Sequence, residues 1–453
     1  MPKRMKDHNI TAFEWCHRLC DIYIALLLSV FILFCSPYEG IVETKHLCFL
    51  ILCGGFICAM TVSILELLLI RQLDGSCLWS AIQEKKTVFL LGLSYLLLTF
   101  VSGVLSPYDY NYWVGMSRYE GFVTQAIYVL SFLFIVLFGR LGQAHILLFG
   151  ITMTVFSGIC ILQFSGLNPF YLYPVGYHYY DANIAYSGEY LGTVGNADLV
   201  AALLSMAILL FFAYFLIETG KRRYACLIPL LLCAGVLVKA RVAAGLVAVF
   251  ASVLIILPVC VKQKGRKRWK AVLAVELCAL LGALAVLYAY DFGGSGTLYE
   301  FHEVLHGNIG ESFGSSRIKI WKEVLAEMPE HLLLGTGPDS MMAWELEGFS
   351  KVIADSGLTV ERGIDVAHNE YLNVAAQQGI LTFIPYILIL FYSFYDYFKH
   401  QNGKKSMVVL AAVMAYAVQA FFSFSMCLVT PVYLTFLGLA FCKNGAFANE
   451  KFV

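Results

Sequence analysis

The chain has 453 residues, 60% of them hydrophobic, with a mean hydropathy of +0.74 and a formal net charge of zero. Soluble domains sit near about 45–50% apolar, so a string of soluble domains is excluded, and no concentrated basic face points to a nucleic-acid partner. The fourteen cysteines lie almost entirely in apolar stretches and form neither a CxxC pair nor a Cys/His cluster, so no disulfide framework, metal site or cofactor is expected.

A bilayer core takes about 20 apolar residues per helix. Taken in chain order, the apolar stretches predict spans near 19–35, 47–70, 87–105, 122–138, 145–163, 198–217, 224–238, 242–261, 271–290, 372–395, 407–426 and 429–442. The expected fold is therefore an all-α integral membrane protein of about twelve transmembrane helices. Residues 1–290 would carry the first nine and 372–453 the last three. Between them, residues 291–371 are far too long for an ordinary helix connection and form one large loop with short helices. The basic start (Lys3, Arg4, Lys6) is followed by no small-residue cleavage site, so the first span is expected to be retained.

Charge orients these spans. With the N-terminus inside, 22 of the 31 Lys and Arg fall on the cytoplasmic side and 9 outside, five of the 9 in the long loop. That is the expected inside excess, and it places both termini in the cytoplasm and the long loop outside. The run Lys262–Lys270 sits between two spans and reads as a topology anchor.

The outer face is aromatic. Tyr171, Tyr173, Tyr177, Tyr179, Tyr180, Tyr186 and Tyr190 fall in one loop, and Tyr108, Tyr110, Tyr112 and Trp113 in another. Such rings serve as interface anchors or as platforms for sugar rings, and the residues alone do not separate the two.

Arginine is expensive near hydrocarbon, and embedded ionisable groups are usually functional. Arg118, in Gly115-Met-Ser-Arg-Tyr-Glu-Gly121, and Arg241, in Val238-Lys-Ala-Arg-Val-Ala-Ala-Gly245, both fall outside, where topology requires no cation. In the long loop, Ser315–Met328 reads as a helix capped by Ser315 or Ser316 and stopped at Pro329, with Ile318, Trp321, Val324 and Leu325 on one face. Arg317 sits in its first turn, where the helix dipole favours anions, a hint that it is held there for a partner. Leu334-Gly-Thr-Gly-Pro338 reads as a turn and not a dinucleotide fingerprint. His368 is expected at the outer boundary, suited to take a proton, with Asp365 placed to orient its ring.

These elements resemble the O-antigen ligase and O-antigen polymerase family, bacterial membrane enzymes that move lipid-linked glycans. His368-Asn369, nine residues, then Gly379-Ile-Leu-Thr382 match the family's histidine motif. Arg317 with Trp321, and Gly335-Thr-Gly337, resemble its upstream elements. Lys239–Gly245 resembles its Ser-Arg-Gly turn, with Ala240 and Val242 in place of the usual small polar residue and glycine. Gly195-Asn-Ala-Asp198 and Arg118–Gly121 are similar to segments of polymerase-like members.

The resemblance implies an undecaprenyl-pyrophosphate-linked glycan donor and a glycan, lipid or protein hydroxyl acceptor. It implies pyrophosphate binding by Arg241 and Arg317, with Arg118 as a third cation, and His368 as the base. Asn369, Asp365 and Gly379 would support the site. No DxD-like carboxylate pair lies on the outer side, and guanidinium forks can offset charge on a leaving diphosphate. Metal-independent, inverting transfer is therefore expected. The competing reading is a flippase or transporter for lipid-linked oligosaccharide. Duplicated halves and midplane charges would be its marks, and neither is evident.

Overall fold

The computed structural model describes residues 3–35, 40–172, 191–265, 267–294, 296–352, 359–400 and 403–442. The tyrosines at 173, 177, 179, 180, 186 and 190 lie outside the described residues. The helices run α1 (Lys3–Leu26), α2 (Ile41–Phe49), α3 (Gly55–Leu69), α4 (Gly75–Glu84), α5 (Lys86–Val104), α6 (Phe122–Phe138), α7 (Gln143–Phe164) and α8 (Ala197–Ile217). They continue with α9 (Leu227–Ala240), α10 (Ala243–Gln263), α11 (Trp269–Ala289), α12 (Thr297–Leu305) and α13 (Phe313–Glu327). After a short antiparallel hairpin, β1 (Phe349–Val352) with β2 (Thr359–Arg362), come α14 (Glu370–Gln377), α15 (Ile380–His400), α16 (Lys404–Gln419) and α17 (Thr430–Ala440). The hairpin is an addition to the all-helical expectation.

Among the described residues, nine helices are long and apolar enough to cross a membrane, α2 and α3 counting as one continuous stretch, Ile41–Leu69. Helices stand at all twelve predicted positions, but Phe122–Phe138 and Thr430–Ala440 are shorter apolar helices. The eleven residues of α17 rise only about 16 Å, and most are buried, so this helix is packed inside protein.

Burial sorts the helices. A helix that is apolar all round belongs in the centre or faces lipid. In α8, 83% of the most apolar window is buried, and in the α16 segment 72%; these two pack together as the central pair. In α11 none is buried; one side, through Val272 and Leu280, is half-buried, and the rest of its apolar surface faces outward. Asn196 starts α8, its Oδ1 accepting from the amides of Asp198 and Leu199 at 2.9 and 3.2 Å. Gln419 Nε2 donates to the Asp198 carbonyl at 2.9 Å, tying the end of α16 to the start of α8.

The two ends of the bundle differ. At one, Arg140 pairs with Glu14 at 2.8 Å and Lys85 Nζ donates to the Phe441 carbonyl at 2.6 Å. At the other, the α5–α6 loop, the start of α8, the 291–371 segment and the α16–α17 loop meet.

Two expectations are corrected here. The stretch expected as a span at 372–395 is not one helix: it breaks after α14, and the long helix begins only at Ile380. The reason is Gly379, at φ +82°, followed by a new helix start. Ser315 and Ser316 do not cap α13 through their side chains. Gly314, Ser315 and Ser316 are all left-handed, at φ 61°, 58° and 67°, and regular helix begins after them.

Candidate active site

Arg317 and Trp321 are four residues apart and share one face of α13. From that face Trp321 Nε1 donates to the Ala367 carbonyl at 2.9 Å, fixing the backbone just before His368. Arg317 Nη2 pairs with Asp198 Oδ2 at 3.0 Å, and Nη1 donates to the Gly314 carbonyl at 2.8 Å. The left-handed turn at 314–316 thus places a carbonyl where the guanidinium can use it. Asp198 lies in the first turn of α8, where the dipole favours a carboxylate. The Arg317 Nε is buried with no partner.

Arg118 arrives from the opposite side. Its loop wraps around Asp339: Ser117 Oγ donates to Oδ1 at 2.7 Å, and the amides of Ser117 and Arg118 to Oδ2 at 3.1 and 2.9 Å. Held this way, the Arg118 side chain reaches Asp365 through Nε at 2.8 Å and Nη2 at 2.7 Å. Its guanidinium carbon stands 4.1 Å from the centre of the Phe424 ring, a cation–π arrangement.

His368 touches the same ring. Its imidazole meets Phe424 edge-on, centroids 5.4 Å apart at 82°. The residue sits at φ 47°, uncommon for any side chain but glycine and sustained only by its surroundings. The amide of Ala367 donates to Asn373 Oδ1 at 3.1 Å, and Asn369 caps α14, its Oδ1 accepting from the Leu372 amide at 3.1 Å.

Burial, with the Arg317 and Arg118 charges, drives the His368 pKa down to about 3, so the ring is neutral near pH 7. Its Nδ1 is buried without a partner. Asp365 was expected to orient this ring; it is instead engaged by Arg118.

The Gly335-Thr-Gly337 turn closes the end of α14. The amides of Thr336 and Gly337 both donate to the Gln377 carbonyl at 2.7 Å, and the Ser340 amide donates to Gln377 Oε1 at 2.8 Å. Gly335 and Gly379 lie back to back: a Cβ on Gly335 would run into the Gln377 carbonyl, and one on Gly379 into that of Leu333. Both have positive φ. The two glycine elements of the motif are therefore one junction, which sets the position of α14 and of His368 before it.

Arg118, Arg317, His368, Asp198, Asp365 and Phe424 thus converge. Arg241 does not join them by contact. It ends α9 in the left-handed conformation, φ 55° and ψ 27°, with its side chain exposed. It lies at the same end of the bundle, because Ser205 Oγ of α8 donates to the Gly245 carbonyl at the start of α10, 3.3 Å away.

Beside the Arg118–Asp365 pair is a cavity of about 80 Å³, partly open to solvent and lined mostly by apolar groups. It descends between α5, α6, α15 and α17. Burial pushes the Glu120 carboxyl up to about 8, opposed by its Tyr128 hydrogen bond, and the Glu370 carboxyl up to about 7, opposed by Tyr386 and Tyr416. Sequence reading missed Glu370 as a site residue, along with Asp339 and Phe424. Glu370 adjoins the histidine motif, which is a usable signal. Nothing local marks Asp339 or Phe424.

Apolar helices thus surround a buried histidine and two arginines paired with carboxylates. Residues 228–387 match the family model described as O-antigen ligase, and no curated protein matches the chain. The matched stretch holds Arg241, Arg317, His368 and Gly379, and the resemblance to the O-antigen ligase and polymerase family is borne out. Arg118 lies outside it.

Proposed function

We propose that this chain is a membrane glycosyltransferase of the cell envelope that transfers or polymerises glycan from an undecaprenyl-pyrophosphate donor. It acts at the outer side of the cytoplasmic membrane, with twelve spans, both termini inside and the 291–371 loop outside. The observation that carries the reading is a neutral, buried imidazole between two arginines whose donors are only partly used. Arg317 keeps a free Nε, and Arg118 makes its Asp365 bonds through Nε and Nη2.

Breaking the bond between an anomeric carbon and a phosphate oxygen builds charge on the leaving diphosphate. Guanidinium groups bind phosphate oxygens in pairs and stay charged, and one such preorganised donor supplies about 10²–10³ in rate. Arg317 and Arg118 would hold the diphosphate, with the exposed Arg241 closing on it from α9, and the chemistry would need no metal. Asp198 and Asp365 keep the two guanidinium groups in place before the donor arrives. His368 would take the acceptor hydroxyl proton as that oxygen attacks the anomeric carbon opposite the leaving group, inverting the centre in one displacement.

Burial is the larger cause of the depressed His368 pKa; an anion bound to both arginines would offset the second, their charges, and so raise its basicity. General-base action of this kind contributes about 10²–10⁴ in rate.

The test is reconstitution in proteoliposomes with a defined undecaprenyl-pyrophosphate oligosaccharide and a hydroxyl acceptor. New glycosidic bonds formed in the presence of EDTA support the reading. Label crossing the bilayer without bond formation would establish transport instead, and transfer abolished by EDTA would remove the arginine-only account.

A further inference from the structure

The surface of α12 takes no part in the diphosphate and proton chemistry above. We propose that α12 lies along the outer face of the bilayer with its apolar side seated among lipid, and that through Glu300 it holds the turn carrying Arg317. This extends the reading of Arg317 as a donor ligand and of residues 291–371 as an outer loop.

Successive residues of a helix are turned by about 100°. In α12, Leu298, Phe301, Val304 and Leu305 therefore share roughly one third of the circumference, and each is between 40% and 52% exposed. Tyr299, Glu300, His302 and Glu303 lie on the other side and are half-buried. A helix packed on a core shows the opposite arrangement, apolar stripe inward. An outward apolar patch marks a surface that something covers.

The neighbouring helix identifies the cover as lipid. α11 is long and apolar enough to cross a membrane, and none of its most apolar window is buried. Tyr288 and Tyr290 are exposed at its end, and tyrosine collects at the headgroup level. The chain then reverses through Gly293 and Gly294, at φ 78° and 76°, which glycine adopts without strain. α12 is clasped at the level of the tyrosines. His302 Nδ1 donates to the Leu287 carbonyl at 2.8 Å, and the His306 ring stacks on that of Tyr288, centroids 4.3 Å apart at 14°. The apolar side of α12 thus continues the lipid-facing surface of α11, as in helices that bury one face at the headgroup boundary.

Glu300 joins this helix to the arginine. Its Oε2 accepts from the Gly314 amide at 3.1 Å, and the Gly314 carbonyl accepts from Arg317 Nη1 at 2.8 Å. Gly314, Ser315 and Ser316 are all left-handed, a conformation that serine keeps only where its surroundings enforce it. Gly314 is bonded on both sides, to α12 through its amide and to Arg317 through its carbonyl. Glu300 is therefore a positioning residue, acting on Arg317 through the turn.

The experiment uses the full chain in phosphatidylethanolamine–phosphatidylglycerol nanodiscs. p-Benzoylphenylalanine replaces Phe301 or, as the control, Glu311, an exposed polar position of the same segment. Lipid adducts are read by intact-mass spectrometry after irradiation. They should form from position 301 and not from 311. Hydrogen exchange over residues 314–317 reads the turn. Glu300→Ala should quicken exchange there by about tenfold, the loss of one charge-assisted hydrogen bond. Glu300→Gln, which keeps an acceptor oxygen, should restore most of the protection. The double change Phe301→Glu with Leu305→Glu reports the same hold without touching Glu300: exchange over 314–317 should quicken while α8 and α16 stay protected.

No lipid adduct at 301, or equal adducts at 301 and 311, would overturn the lipid seat. Exchange over 314–317 unchanged in Glu300→Ala, or in the double variant, would overturn the hold on the turn. Neither readout depends on turnover. A wild-type chain that transfers no glycan would sink the catalytic reading and leave the lipid-seated helix standing.

Discussion

Arg118 and His368 meet through one ring: the guanidinium carbon lies 4.1 Å from the Phe424 centroid, and the imidazole meets that ring edge-on at 5.4 Å. The loop between α16 and α17 thus sets the spacing of a cation from α5–α6 and a base from the 291–371 segment.

Phe424→Leu should keep an apolar filler but remove the aromatic face and its quadrupole. Cation–π contacts contribute about 0.5–2 kcal/mol, so turnover should fall by about twofold to thirtyfold with little change in Tm. The measurement is transfer rate beside thermal unfolding. An unchanged rate would show that the ring does not position either group.

Arg317→Lys retains a cation for Asp198 but loses the forked donors. Transfer should fall about 10²–10³ while the fold survives, as judged by chromatographic profile and Tm. Lysine activity equal to wild type would mean that paired donors are not needed at this position.

His368 gives a signed dependence on pH. Its folded pKa is about 3 and its ordinary value 6.5, so the unfolded chain binds more protons between these values. Stability from this group is present above about pH 6.5 and is lost as pH falls towards 3. Tm should therefore drop more steeply on acidification in wild type than in His368→Gln. The His368→Ala variant should lose about 10²–10⁴ in transfer, and donor binding should move the acid limb of kcat above that of kcat/KM.

Gly379→Ala places a Cβ against the Leu333 carbonyl at φ +82°, and Gly335→Ala meets the Gln377 carbonyl across the same junction. Either should cost about 1–3 kcal/mol or more, lower Tm and displace α14. The paired variant should be less than additive, since both sites perturb one contact.

Arg241 is exposed and makes no ion pair among the described residues. Arg241→Gly suits its φ of 55°, so stability should stay within about 0.5 kcal/mol. Transfer should nonetheless fall and the KM for the donor rise. Full activity would remove Arg241 from the diphosphate site.

Hydropathy alone placed helices at the right positions, because a lipid environment demands about 20 apolar residues per crossing and internally satisfied backbone. The family resemblance singled out Arg317, Trp321, His368 and Gly379, since motif residues sit at fixed intervals along one chain. It could not give the ion pairs. Arg317 with Asp198 and Arg118 with Asp365 join residues 119 and 247 positions apart, and such partners are chosen by packing. The break at Gly379 was hidden for a related reason: an apolar run looks continuous whether or not its backbone turns, and only the crossing of Gly335 behind it forces the turn. Likewise, Asp365 lies near His368 in the sequence yet serves Arg118, because a full positive charge outcompetes a neutral imidazole for a carboxylate.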